Sequence, residues 1–278
     1  MVAEMSTSPK QIAVENERIA ALGTYRAADG THVDITDALS EARAWTHCFE
    51  PGEELYNRDP GPFEGRPEVT AEGSMQAARR LHQEGGKAIA VLNFASARNP
   101  GGGYLRGARA QEEDLCRSAL LYRCLLETPR YYEAHRASDD LRYSDRVIFS
   151  RDVPVIRDDR GALTARTFTT SFLTSPAPNA GALANRSGHR VDVRDILLAR
   201  AERVLAIAAH ERVRELVLGA WGCGVFRNDP NEVAEAFDQA LRIHGAAFDR
   251  VVFAVWDRSP VSANRTAFEA RFGQAISS

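Results

Sequence analysis

Residues 88–93 read Ala-Ile-Ala-Val-Leu-Asn, an apolar run that suits a strand buried on both faces. It is preceded by a helical pattern over 74–83 that stops at Glu84-Gly85-Gly86, and a Gly-rich stretch follows it. A strand of this kind needs a layer of helices on each side. The rest of the chain supplies them, because helical patterns at 111–127, 192–210, 231–244 and 263–272 are interleaved with strand-like runs at 146–150, 167–174, 215–219 and 250–254. The expected architecture is a three-layer α/β/α unit with a mixed central sheet over residues 68–278. Pro129 is expected to halt the helix over 111–127, and 171–185 reads as the least structured segment.

Residues 1–67 read as an N-terminal extension packed on that unit. A helix over 11–22 and a hairpin turning at Asp29-Gly30 lead into a second helix ending near Ala44, and 51–67 is a Pro-, Gly- and charge-rich loop that marks the boundary. The opening residues lack the basic-then-apolar pattern of a secretory signal, and no stretch is apolar enough to span a bilayer, so a cytoplasmic protein is expected.

Composition removes several function classes. The 35 basic residues against 38 acidic ones leave a net charge of -3, so a nucleotide ligand belongs in a local pocket rather than on a basic face, and no direct DNA contact is expected. Lysine occurs only at Lys10 and Lys87, neither in a Gly-Lys-Ser/Thr phosphate loop. The four cysteines, Cys48, Cys116, Cys124 and Cys223, form no C-x-x-C pair and read as reduced structural thiols, with Cys223 alone placed to line a site. Neither H-E-x-x-H nor G-x-S-x-G occurs, which argues against zinc and serine hydrolases. No metal or other cofactor is expected.

Two loops carry the chemistry. Each leaves the carboxyl end of an expected central strand, where open α/β sheets bind ligands. The first, from Asn93, contains Gly101, Gly102 and Gly103; the second runs Gly219-Ala220-Trp221-Gly222-Cys223-Gly224-Val225-Phe226. Consecutive glycines let backbone N–H groups approach an anion, and two such loops fit a diphosphate gripped from both sides. Eight residues after the triple glycine, Gln111-Glu112-Glu113-Asp114 opens a helix. Acidic residues there complement the helix dipole, but carboxylates bordering a sugar-nucleotide site also suit glycosidic bond cleavage.

Gly101-Gly102-Gly103 followed by Gln111-Glu112-Glu113 resembles the signature of poly(ADP-ribose) glycohydrolases, and Asn93-Phe94-Ala95-Ser96 with the 219–226 loop is similar to their bacterial-type branch. The resemblance implies a macrodomain fold, ADP-ribose as ligand, and hydrolysis of the ribose–ribose O-glycosidic bonds of poly(ADP-ribose). It further implies Glu113 as general acid, Glu112 holding hydroxyls of the released ribose, and Gln111 positioning the loop. Gly101, Gly102, Gly103, Gly222, Cys223, Gly224, Val225 and Phe226 would enclose the distal ribose and diphosphate, with Asn93 a ribose ligand. The expected partners are poly(ADP-ribose), ADP-ribose and ADP-ribosylated proteins, met by a monomer. Adjacent helical residues point about 100° apart, so the two glutamates are not expected to act as a facing acid and base, and one acid must do both proton transfers. Protonating a leaving oxygen also calls for a raised carboxyl pKa, which neighbouring carboxylates and partial burial favour. A non-catalytic ADP-ribose-binding module and a mono-ADP-ribosyl hydrolase are the alternatives.

Overall fold

The computed structural model describes residues 7–56, 60–259 and 261–273; the opening residues 1–6 and part of the 51–67 loop therefore lie outside the described residues. The chain opens with α1 (Pro9–Leu22), two residues earlier than the pattern suggests. Ser8 and Gln11 form a capping box and Pro9 takes the first helical position, a start signal written in the sequence. A hairpin of β1 (Thr24–Arg26) and β2 (His32–Asp34) leads to α2 (Thr36–Ala44) and then β3 (His47–Phe49). After the loop come β4 (Glu68–Thr70), α3 (Ser74–Gln83), β5 (Ile89–Phe94), α4 (Gln111–Ser118), α5 (Leu121–Leu125) and α6 (Pro129–Arg136). The remainder is β6 (Val147–Arg157), β7 (Leu163–Ser175), α7 (Ala180–Ser187), α8 (Arg194–His210), β8 (Glu215–Leu218), α9 (Pro230–His244), β9 (Arg250–Ala254) and α10 (Ala263–Phe272).

Seven strands form one mixed sheet in the order β3-β6-β7-β5-β8-β9-β4. The block from β7 to β4 is parallel, while β6 runs against it, paired antiparallel with both β7 and the edge strand β3. Strand β5 shows why the layers stack as they do. Its side chains alternate, Ile89 and Val91 entering the core under α1 to α6, and Ala90 and Leu92 the core under α8, α9 and α10. Both faces are covered, as the apolar run requires.

Three readings need correction. The 111–127 helix is broken: Ala119 is extended and bridges Val155, and the Leu120 N–H donates to the Pro154 carbonyl at 3.0 Å. A good helix-forming sequence yields here to a tertiary pairing. Pro129 ends that segment but also starts α6. The 171–185 segment is ordered, finishing β7 and forming most of α7, whose cap Asn179 accepts from the Ala182 N–H at 3.0 Å. Strand β3, too short for a periodic signal, comes from the segment before residue 68 and pairs with β6 at the sheet edge. Among the described residues, no helix is long and apolar enough to cross a membrane.

Candidate active site

The parallel strands β5 and β8 are neighbours, and the chain leaves β5 toward β6 and β7 but leaves β8 toward β9. Their carboxyl ends therefore flank a topological switch point, where a crevice opens between the following loops. A cavity of about 790 Å³ occupies it. Gly102, Gln111, Glu112 and Glu113 contribute to one wall, and Gly222, Gly224, Val225 and Phe226 to another. Asn93, Gly101, Gly103 and Cys223 stand behind these walls rather than on them. All four cysteines are free thiols. Trp221 is core, 1 % exposed, and its indole N–H donates to the Ser175 carbonyl at 3.1 Å.

The acidic turn is more than a helix cap. Asp114 fits that simple role, pairing with Arg117 on the exposed side. Glu112 and Glu113 are only 4 % and 7 % exposed, and every carboxylate oxygen of the two has a donor. Glu112 accepts from the Ser96 N–H at 2.7 Å and from the Asn93 amide at 3.3 Å. Glu113 accepts from the Gly103 N–H at 2.7 Å and from the Ala110 N–H at 3.1 Å. Gln111 ties the turn to the sheet, accepting from the Phe94 N–H at 2.9 Å and donating to the Leu92 carbonyl at 2.8 Å and the Ser74 hydroxyl at 3.1 Å. The whole turn is thereby locked to the end of β5.

Although the two glutamates leave the helix in different directions, their carboxylates meet at one glycine. Gly102 has φ +58°, in the left-handed region. A side chain there would start inside contact distance of Glu113 Oε1 and 3.0 Å from Glu112 Oε2. The glycine thus keeps open the space into which both carboxylates face. Burial pushes the Glu112 carboxyl up to about 8, opposed by its bonds from Ser96 and Asn93 and reinforced by the neighbouring Glu113. Burial thus holds a proton on the first glutamate of the pair. Asn93 is fully buried, its amide shared between Glu112 and the Thr174 hydroxyl at 3.2 Å.

A family model described as the catalytic domain of microbial-type PARG matches residues 13–158. The chain resembles the crystal structure of poly(ADP-ribose) glycohydrolase from Thermomonospora curvata, with 43 % identity and a TM-score of 0.86 over 95 % of this chain and 99 % of that one. The same figures hold for that enzyme bound to the inhibitor ADP-HPD. The enzyme from Deinococcus radiodurans in complex with ADP-ribose is 45 % identical, with a TM-score of 0.78 over 84 % of this chain and 96 % of that one. The chain belongs to the microbial-type poly(ADP-ribose) glycohydrolase family. No curated protein matches it.

Membership in the glycohydrolase family agrees with the mixed α/β/α fold expected from the sequence. Sequence reasoning left the far end of this glycohydrolase cavity unassigned, and the structure places Trp256, 59 % exposed, and Asn264 in its wall with the 73–76 turn at the start of α3. A signal for Trp256 existed. It follows the carboxyl end of β9 just as the two Gly-rich loops follow β5 and β8.

Proposed function

We propose that the chain hydrolyses the ribose–ribose O-glycosidic bonds of poly(ADP-ribose), releasing ADP-ribose, with Glu113 as general acid and base. The observation that carries this reading is the convergence of two buried carboxylates on Gly102 in the wall of a cavity framed by two Gly-rich loops. A ligand-binding module needs the loops but has no use for the pair.

On this reading the diphosphate lies between the Gly102 and Gly222 loops, whose glycines admit close backbone approach. The distal ribose is held against the pair by Phe226, and adenine lies toward Trp256, whose exposed indole offers a flat apolar surface. Because Glu112 keeps its proton to about 8, the pair retains a proton through neutral pH. Glu112 keeps that proton and acts as a hydrogen-bond donor to the ribose hydroxyls, while Glu113, as the general acid, gives a separate proton of its own to the leaving oxygen. The C1″–O bond breaks, its electron pair stays with the leaving oxygen, and the diphosphate stabilises the oxocarbenium-like ribose. Glu113, now a carboxylate, takes a proton from water as the water oxygen bonds to C1″. Proteins carrying the polymer are partners through it.

ADP-ribose release from polymer and from mono-ADP-ribosylated protein, measured side by side, tests the reading. Release from polymer is expected. Binding of polymer with release from neither substrate would make the chain a binding module, and release only from the mono-modified protein would make it a mono-ADP-ribosyl hydrolase.

A further inference from the structure

The cavity extends past the glutamate pair, away from the two Gly-rich loops, into an arm between α4 and the β6–β7 turn. The β6–β7 hairpin carries register shifts between Ser150 and Val153 and between Val155 and Arg157, and Arg79 of α3 holds its turn through Asp159 and the Arg157 carbonyl. Charges in the arm are unevenly matched. Asp114 pairs with Arg117, and Asp159 with Arg79. Asp158 accepts from the Arg160 and Ala162 backbone N–H groups at 2.9 and 2.8 Å. Arg109 and Arg160 line the same arm, both are exposed, and neither guanidinium has a hydrogen bond or ion pair among the described residues.

The position of Arg109 is informative. It precedes Ala110, whose N–H donates to Glu113 Oε2. If Glu113 protonates the leaving oxygen, the departing part of the polymer emerges on this side, past Arg109, while the unit being released lies between the glycine loops. The departing part carries a diphosphate, whose paired tetrahedral phosphoryl oxygens match the planar, forked N–H donors of a guanidinium. We infer that Arg109 and Arg160 form a leaving-side subsite for the diphosphate of the adjoining ADP-ribose unit, an inference that rests on the glycohydrolase reading above. Such a subsite favours polymer over substrates whose ribose is attached to anything lacking that diphosphate.

The test compares wild type with Arg109→Glu, Arg160→Glu and Arg109→Lys. Each Glu variant should raise KM for polymer about tenfold, the effect of losing one charge-assisted hydrogen bond, and should flatten the salt dependence of polymer binding by about one charge. Calorimetric affinity for free ADP-ribose should stay at the wild-type value, and Arg109→Lys should recover part of the loss. An unchanged KM for polymer, in variants whose circular dichroism matches wild type, would overturn the subsite. An equal loss of ADP-ribose affinity would move the arginines to the terminal-unit site and overturn it too. Failure of the wild type to cleave polymer is a separate result, which overturns the underlying reading whatever the arginines do.

Discussion

Replacing Glu112 with glutamine should stabilise the protein, and the gain should grow with pH. An ordinary glutamate ionises near 4.5, whereas burial holds Glu112 protonated up to about 8. Below the lower value both folded and unfolded chains bind the proton. Between the two values the unfolded chain releases it and the folded chain does not, so stability falls as pH rises through this window and levels off above it. At about 1.4 kcal/mol per pKa unit, the site costs on the order of 3 kcal/mol at pH 7 and about 5 kcal/mol above pH 8. Glutamine cannot ionise. Its oxygen can still accept from the Ser96 N–H, and its amide, which takes the place of the oxygen facing the Asn93 amide, finds an acceptor once the Asn93 side chain turns over to present Oδ1, a buried atom without a partner among the described residues. Urea unfolding of both proteins at several values between pH 5 and 8 is the assay. The variant should lead by less than about 1 kcal/mol at pH 5 and by about 2–3 kcal/mol at pH 7, worth roughly 5–10 °C in Tm. Curves that stay parallel across that range, or a variant weaker than wild type at pH 8, would refute the claim that Glu112 is held protonated. The expected loss of turnover in the same variant would make Glu112 a site where stability is given up for function.

Two further substitutions probe the walls. Gly102→Val places a β-branched side chain at φ +58° and drives it into both carboxylates, so calorimetry should show ADP-ribose affinity falling by more than about 100-fold while circular dichroism shows the fold retained. Wild-type affinity in a folded variant would remove the loop from the site. Phe226→Ala should lower kcat more than it weakens ADP-ribose binding, because the ring aligns the ribose while the glycine loops keep the diphosphate; an unchanged kcat would reduce Phe226 to packing against Tyr143, whose ring lies 6.0 Å away.

How much of this was legible depended on whether the cause was local. Strand β5 and helices α3 and α10 follow from apolar periodicity, and the positions of the two Gly-rich loops follow from where the strands end. The break after Ser118 was invisible because its cause is Pro154, thirty-odd residues away in sequence, whose carbonyl takes the Leu120 N–H. The convergence of Glu112 and Glu113 was hidden for a related reason. Side-chain directions on a helix say that neighbours diverge, and only the backbone donors of Gly103, Ala110 and Ser96 show how two diverging side chains bring their ends to one glycine. Burial then keeps a proton on Glu112, and burial is a property of the packed turn rather than of the letters Gln-Glu-Glu. The cavity arm with Arg109 and Arg160 depends on a long-range approach of the β6–β7 turn to α4, for which no motif exists.

Cleavage rests on the Glu113 carboxyl. Glu113→Gln keeps the side-chain length and an oxygen for the Gly103 N–H but cannot deliver a carboxylic proton. Release of ADP-ribose from poly(ADP-ribose), followed beside calorimetric binding of ADP-ribose, measures chemistry and recognition on the same samples. The rate is predicted to fall about 10²–10⁴-fold while affinity stays within a few-fold of wild type. A variant that cleaves polymer at the wild-type rate would contradict the assignment and leave the acidic turn as a helix cap.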